Sequence, residues 1–167
     1  MNNIILVGMM GSGKSTIGKI LAEKLNYKFI DMDQMIEQMQ GLEISKIFDL
    51  YGEAKFRELE TDLIYKLSEI NGSVISTGGG IVLNPVNTIQ LKKMGKIVYL
   101  EGRLEQLMAN LEGETDHRPM LKSNSLDTIL RVRSGLYTST AQYIVSIDGQ
   151  KKEAIVNQII ADIQDAE

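Results

Sequence analysis

Four apolar residues, Ile4-Ile5-Leu6-Val7, run straight into Gly8-Met9-Met10-Gly11-Ser12-Gly13-Lys14-Ser15, and a helical pattern follows at once. A continuous apolar, β-branched run suits a strand covered on both faces. From Lys14 to Asn26, Ile17, Leu21 and Leu25 recur at helical spacing. Strand, glycine loop and helix in that order open a βαβ unit, which commits the chain to an α/β fold with a parallel sheet. The loop fits G-x-x-x-x-G-K-[ST] at every position. Its glycines let the backbone curl until successive N–H groups point inward, forming a nest for phosphate oxygens. The helix start adds free N–H groups and its positive dipole end. In this arrangement Lys14, expected on an exposed loop, reaches the β- and γ-phosphates, and the Ser15 hydroxyl holds Mg²⁺. A chance glycine turn would lack the strand before it and the periodic helix after it.

The alternation continues. Phe29-Ile30, Val74-Ile75, Ile97-Val98-Tyr99-Leu100 and Tyr143 to Ile147 read as further strands. A last helix carries Ile155, Ile159 and Ile163 on one face, widened by Ala154, Val156 and Ile160. Two stretches break the pattern. Residues 32–67 are helical material with no strand, too long for a plain crossover. Residues 112–125 are polar, with Gly113, Glu112, Glu114, Asp116 and then Arg118-Pro119, the character of a lid or binding loop. With no repeat or linker, residues 1–167 read as one domain.

Composition narrows the function. A net charge of −4 with interspersed signs gives no footprint for nucleic acid. No cysteine is present, so disulfides and thiolate metal sites are excluded. The apolar run at Ile4 to Met10 has no basic residue before it and is far too short to span a bilayer. A cytoplasmic protein without a membrane partner is expected.

Ligands of open α/β sheets bind beyond the carboxyl ends of the strands. Three segments therefore converge on one rim: the Gly8 to Ser15 loop, Asp31-Met32-Asp33, and Ser76-Thr77-Gly78-Gly79-Gly80. Of the two acids, one can support hydrated Mg²⁺ and the other can orient an acceptor hydroxyl and take its proton. The plainer role for either is a helix N-cap, which does not exclude the functional one. The consecutive glycines permit close approach of a ligand to backbone, or make a flexible turn. Arg57, Arg118 and Arg133 cannot be brought together by spacing, and each taken alone reads as a solvated surface residue. His117, the single histidine, reads as a solvated loop residue.

Taken together, these segments resemble the shikimate kinase family almost from end to end. The P-loop through Thr16 is followed by Asp31-Met32-Asp33, by Gly41 to Phe48, and by Gly52-Glu53-Ala54-Lys55-Phe56-Arg57-Glu58-Leu59-Glu60. That last block is similar to the family's G-E-x-x-F-R-x-x-E, a more specific signal than the P-loop. Thr77-Gly78-Gly79-Gly80, Arg118-Pro119-Met120-Leu121 and Arg133-Ser134-Gly135-Leu136-Tyr137 match further family segments. The resemblance implies a five-stranded parallel sheet, order 2-3-1-4-5, flanked by helices, with a substrate-binding helical subregion at 32–67 and a mobile lid at 112–125. It implies an ATP-dependent kinase that phosphorylates the 3-hydroxyl of shikimate on the route to chorismate and the aromatic amino acids, and that works as a monomer.

Roles follow from the same resemblance. ATP is bound by Gly11, Ser12, Gly13, Lys14, Ser15 and Thr16, and Ser15 and Asp31 serve Mg²⁺. Asp33 binds the shikimate hydroxyls and acts as base. Arg57 and Arg133 take the carboxylate, and Gly79 and Gly80 add backbone contacts. Lys14 and Arg118 act on the transferring phosphoryl group, Arg118 swinging in with the lid. The chain departs from the family at the adenine end. An arginine usual before the lid is replaced by Ala109-Asn110-Leu111, the proline before Leu136 by Gly135, and the C-terminal loop reads Asp148-Gly149-Gln150-Lys151-Lys152.

Three other readings compete. A gluconate-type or nucleoside monophosphate kinase lacks the Phe56-Arg57 and Arg133 to Tyr137 blocks. A guanine-nucleotide switch needs N-K-x-D, which is absent; Asp49-Leu50-Tyr51-Gly52 fits D-x-x-G but follows a helical stretch. An inactive interaction module is disfavoured by intact Lys14, Asp33 and Arg118.

Overall fold

The computed structural model describes residues 2–112 and 125–166. The expectations placed on Gly113, Glu114, Asp116, His117, Arg118 and Pro119 therefore lie outside the described residues. Five strands form one sheet: β1 (Asn3–Val7), β2 (Lys28–Asp31), β3 (Ser73–Ser76), β4 (Gly95–Glu101) and β5 (Tyr143–Ser146). Their order is β2-β3-β1-β4-β5, every pair parallel, as expected. β1 sits at the centre, with Ile5 registered against Ile75 on one side and Ile97 on the other. Every residue of β1 and β3 is buried, the consequence of helices on both faces.

Helices α1 (Lys14–Leu25) and α7 (Lys152–Gln164) pack on each other, α1 against β1, β2 and β3 and α7 against β5. Helices α4 (Pro85–Met94) and α6 (Leu126–Thr140) pack against β4. Helix α5 (Leu104–Asn110) touches α6. In α7 the core face is Ile155, Val156 and Ile159, with Ile160 and Ile163 partly buried against it; Ala154, expected to widen that face, is exposed. Residues 32–67 are helical as expected, split into α2 (Met32–Gln40) and α3 (Ile44–Lys66). Gly52 interrupts α3 at φ 82°, ψ 172°, a conformation that favours glycine, so the D-x-x-G at Asp49 to Gly52 is a helix kink and not a switch after a strand. Ser125 caps α6, accepting from the Thr128 N–H at 3.2 Å. No described helix is long and apolar enough to cross a membrane.

Candidate active site

Because all five strands run parallel, their carboxyl ends make one rim, and the three segments expected there do meet. The Ser15 Oγ, in the first turn of α1, donates to Asp31 Oδ2 at 2.6 Å and lies 3.5 Å from Ser76 Oγ at the end of β3. Asp31 takes the capping role weighed for it, with its second oxygen turned to Ser15. It ends β2 and caps α2, its Oδ1 accepting from the Gln34 N–H at 3.2 Å while Oδ2 faces Ser15. Asp33 follows in the first turn of α2. Hydroxyl and carboxylate oxygens side by side at the end of a phosphate loop suit a hard, hydrated cation. Among the described residues no cluster of three or more acids, histidines or cysteines offers a dedicated metal cage, and Mg²⁺ sites on phosphates rarely have one.

The loop itself takes the shape its glycines allow, with Gly11 and Gly13 both at φ 86°. Lys14 is not exposed as expected. It is 9% accessible, and its Nζ donates to the carbonyls of Gly8 at 2.7 Å and Met9 at 3.0 Å, so the loop curls around its own cation. A cavity of about 320 Å³ opens over this loop, and its walls include Lys14, Ser15, Asp33, Thr77, Gly79 and Lys152. The phosphate loop and Asp33 thus share one space.

The three glycines after β3 have a reason that spacing does not show. A Cβ on Gly78 would stand 2.6 Å from Glu60 Oε2 and 2.9 Å from Asp33 Oδ1. On Gly79 it would stand 3.3 Å from an Arg133 nitrogen, and on Gly80 it would collide with the Arg57 guanidinium. The missing side chains make room for four charged groups arriving from α2, α3 and α6. Neither arginine is the solvated surface residue that each resembled in isolation. Arg133 is 3% accessible, and Arg57 is largely enclosed, paired with Glu60 at 2.7 Å and Glu53 at 3.1 Å. Glu60 is buried, and burial pushes its carboxyl up to about 7 against the opposing pull of Arg57. Glu60 Oε2 has no hydrogen-bond partner.

A family model described as shikimate kinase matches residues 10–164. The chain belongs to the shikimate kinase family. A shikimate kinase of Geobacter sulfurreducens is 40% identical over 161 residues, 94% of this chain and 88% of that protein. The solved structure of a shikimate kinase from Acinetobacter baumannii in complex with shikimate superposes with a TM-score of 0.95 at 33% identity, covering 100% of this chain and 95% of that one. A gluconokinase from Sinorhizobium meliloti reaches a TM-score of 0.57 at 17% identity, a likeness of fold alone.

Two residues of the shikimate kinase segments went without a role in the sequence. Glu60 closes the block that contains Arg57 and fixes one guanidinium nitrogen through an i, i+3 pair. Tyr137, one helical turn beyond Arg133, donates its hydroxyl hydrogen to the Gly79 carbonyl and stacks on Tyr99 with ring centroids 5.0 Å apart. Burial pushes the Tyr137 hydroxyl up to about 12, so it keeps the proton it donates. The available signal was periodicity: Arg57 to Glu60 and Arg133 to Tyr137 each place two polar groups on one helix face.

Proposed function

We propose that this chain transfers the γ-phosphoryl group of ATP to the 3-hydroxyl of shikimate through residues gathered on the rim of its sheet. The observation that carries this reading is the shared cavity, in which Lys14 and Ser15 of the phosphate loop and Asp33 are walls of one space beside the Gly78 to Gly80 turn. ATP lies with its phosphates on Gly11, Ser12, Gly13, Lys14, Ser15 and Thr16. Lys14 exchanges loop carbonyls for phosphate oxygens when the nucleotide enters. Ser15 and Asp31 hold Mg²⁺, which when bound neutralises phosphate charge and orients the donor.

Shikimate is an anion with a planar carboxylate, and guanidinium forks match that shape with two parallel hydrogen bonds. Arg57 and Arg133, both facing the glycine turn, supply the forks, and Gly79 and Gly80 supply backbone. Asp33 accepts the proton of the 3-hydroxyl as its oxygen bonds to the γ-phosphorus and the bond to the ADP oxygen breaks. Arg118 acts on the transferring charge from the lid. The same reading makes the enzyme a monomer that works in the cytoplasm on small, soluble substrates.

A coupled ADP-release assay with shikimate, gluconate and nucleoside monophosphates tests the reading. Turnover with shikimate alone is expected. Turnover with gluconate or a nucleotide, and none with shikimate, would overturn it.

A further inference from the structure

The phosphate loop is tied to the loop after β5 by two side-chain amides of α5. The backbone N–H of Gly149 donates to Gln106 Oε1 at 3.3 Å, Gln106 Nε2 donates to Asn110 Oδ1 at 3.0 Å, and Asn110 Nδ2 donates to the Gly11 carbonyl at 2.8 Å. Each amide accepts at its oxygen and donates from its nitrogen, so the three bonds run in one direction. The two side chains are one helical turn apart on α5, the i, i+4 spacing that places them on one face. Below them the same helix closes on the loop: a Cβ on Gly11 would stand 2.8 Å from both the Leu107 carbonyl oxygen and the Leu111 side chain.

Both ends of this line are fixed to the cavity. At one end, the peptide between Gly11 and Ser12 is held twice, its carbonyl by Asn110 and its N–H by the Met9 carbonyl at 3.1 Å. Its orientation sets the turn into Gly13 and Lys14, whose N–H groups form the phosphate nest. At the other end, Gly149 at φ 64° turns the chain into α7, whose first residue, Lys152, is a wall of the same cavity. Asn110 lines it too.

We infer that Gln106 and Asn110 are positioning residues that couple the Asp148 to Lys151 loop to the phosphate loop and thereby set the affinity for ATP. This deepens the proposed function and rests on it for the identity of the nucleotide. The line is a relay: it holds the loop carbonyl only while Gln106 holds the Asn110 oxygen. Removing either amide releases the same carbonyl, and removing both adds little. Asp33, Arg57 and Arg133 make none of the three bonds of the relay.

The test is a calorimetric titration of ATP into wild type, Gln106→Ala, Asn110→Ala and the double variant, with shikimate titrated separately. Each single variant should weaken ATP binding about 2- to 12-fold, the range for one neutral hydrogen bond. The double variant should be no weaker than the weaker single variant, shikimate affinity should stay at wild type, and the melting temperature should fall by no more than about 2–6 °C per lost bond. Gln106→Glu keeps the acceptor for Gly149 and removes the donor to Asn110, so it should behave as Asn110→Ala does. Four results would overturn the inference: additive losses, wild-type ATP affinity in Gln106→Ala, wild-type affinity in Gln106→Glu, or equal losses for ATP and shikimate. Since these titrations need no turnover, a wild-type enzyme that bound ATP but never phosphorylated shikimate would refute the proposed function and leave the relay standing.

Discussion

Gly80→Ala separates the placement of Arg57 from backbone strain. Gly80 sits at φ −91°, ψ 7°, a turn conformation open to alanine. The substitution therefore acts through its new Cβ, which would stand 2.5 Å from both Cζ and Nη2 of Arg57. Contact that close forces the guanidinium away from the turn and from its partners, Glu60 at 2.7 Å and Glu53 at 3.1 Å. A displaced guanidinium loses a charge-assisted hydrogen bond to the shikimate carboxylate, about 1.5–3 kcal/mol, so binding should weaken roughly 10- to 150-fold. The three atoms nearest the new Cβ all belong to Arg57 and none to the phosphate loop, so ATP should bind as in wild type. Separate titrations with shikimate and ATP read both numbers. Arg57→Lys, which keeps the charge and loses the fork, should match Gly80→Ala. Shikimate affinity within about twofold of wild type, well short of one lost charged hydrogen bond, would refute the argument, as would a parallel loss of ATP binding.

Lys14→Ala should abolish nearly all phosphoryl transfer while the far-ultraviolet circular dichroism stays native; wild-type turnover in single-turnover assays would sink the phosphate-loop assignment. Asp33→Asn should lower kcat roughly 10²- to 10⁴-fold if the carboxylate takes the proton. A fall of less than about threefold would leave Asp33 a positioning group. Glu60 predicts a pH effect on stability. Its carboxyl rises from 4.5 to about 7 on folding, with Arg57, Asp33 and Arg133 as the charges around it. Between those values the folded state binds more protons than the unfolded, so this group's contribution falls as pH rises from 4.5 through about 7 and then levels. Glu60→Gln should flatten the slope in denaturant titrations across that window; identical slopes would contradict the assignment.

Much of the scaffold was legible because its signals are local. Ile4 to Val7 and Ile97 to Leu100 are uninterrupted apolar runs, and only a doubly covered strand places such a run well. The phosphate loop is contiguous, so its glycines, Lys14 and Ser15 could be read together. The strand order came from resemblance, since periodicity says nothing about which strands neighbour each other. The acceptor half of the site was named by resemblance and could not be read from spacing, for a physical reason: its parts belong to different elements. Arg57 lies on α3 and Arg133 on α6, and only the packing of both helices around the turn after β3 brings them to Gly79 and Gly80. That the glycines also make room for charged side chains was hidden, because those side chains come from elsewhere in the chain. Lys14 was misjudged as exposed for the opposite reason: its carbonyl partners, Gly8 and Met9, are neighbours whose direction depends on the curl of the loop. The line from Gly149 to Gly11 was equally hidden, since it spans three segments through two uncharged amides.

The account's central claim is that donor and acceptor meet in one cavity, with Asp33 at the hydroxyl that is phosphorylated. ³¹P nuclear magnetic resonance of a reaction of the enzyme with ATP, Mg²⁺ and shikimate addresses it directly. The account predicts ADP and a single new phosphomonoester, shikimate 3-phosphate, formed in equal amounts and absent when shikimate is left out. ADP released without a phosphorylated shikimate, or a phosphate on a different hydroxyl, would contradict it.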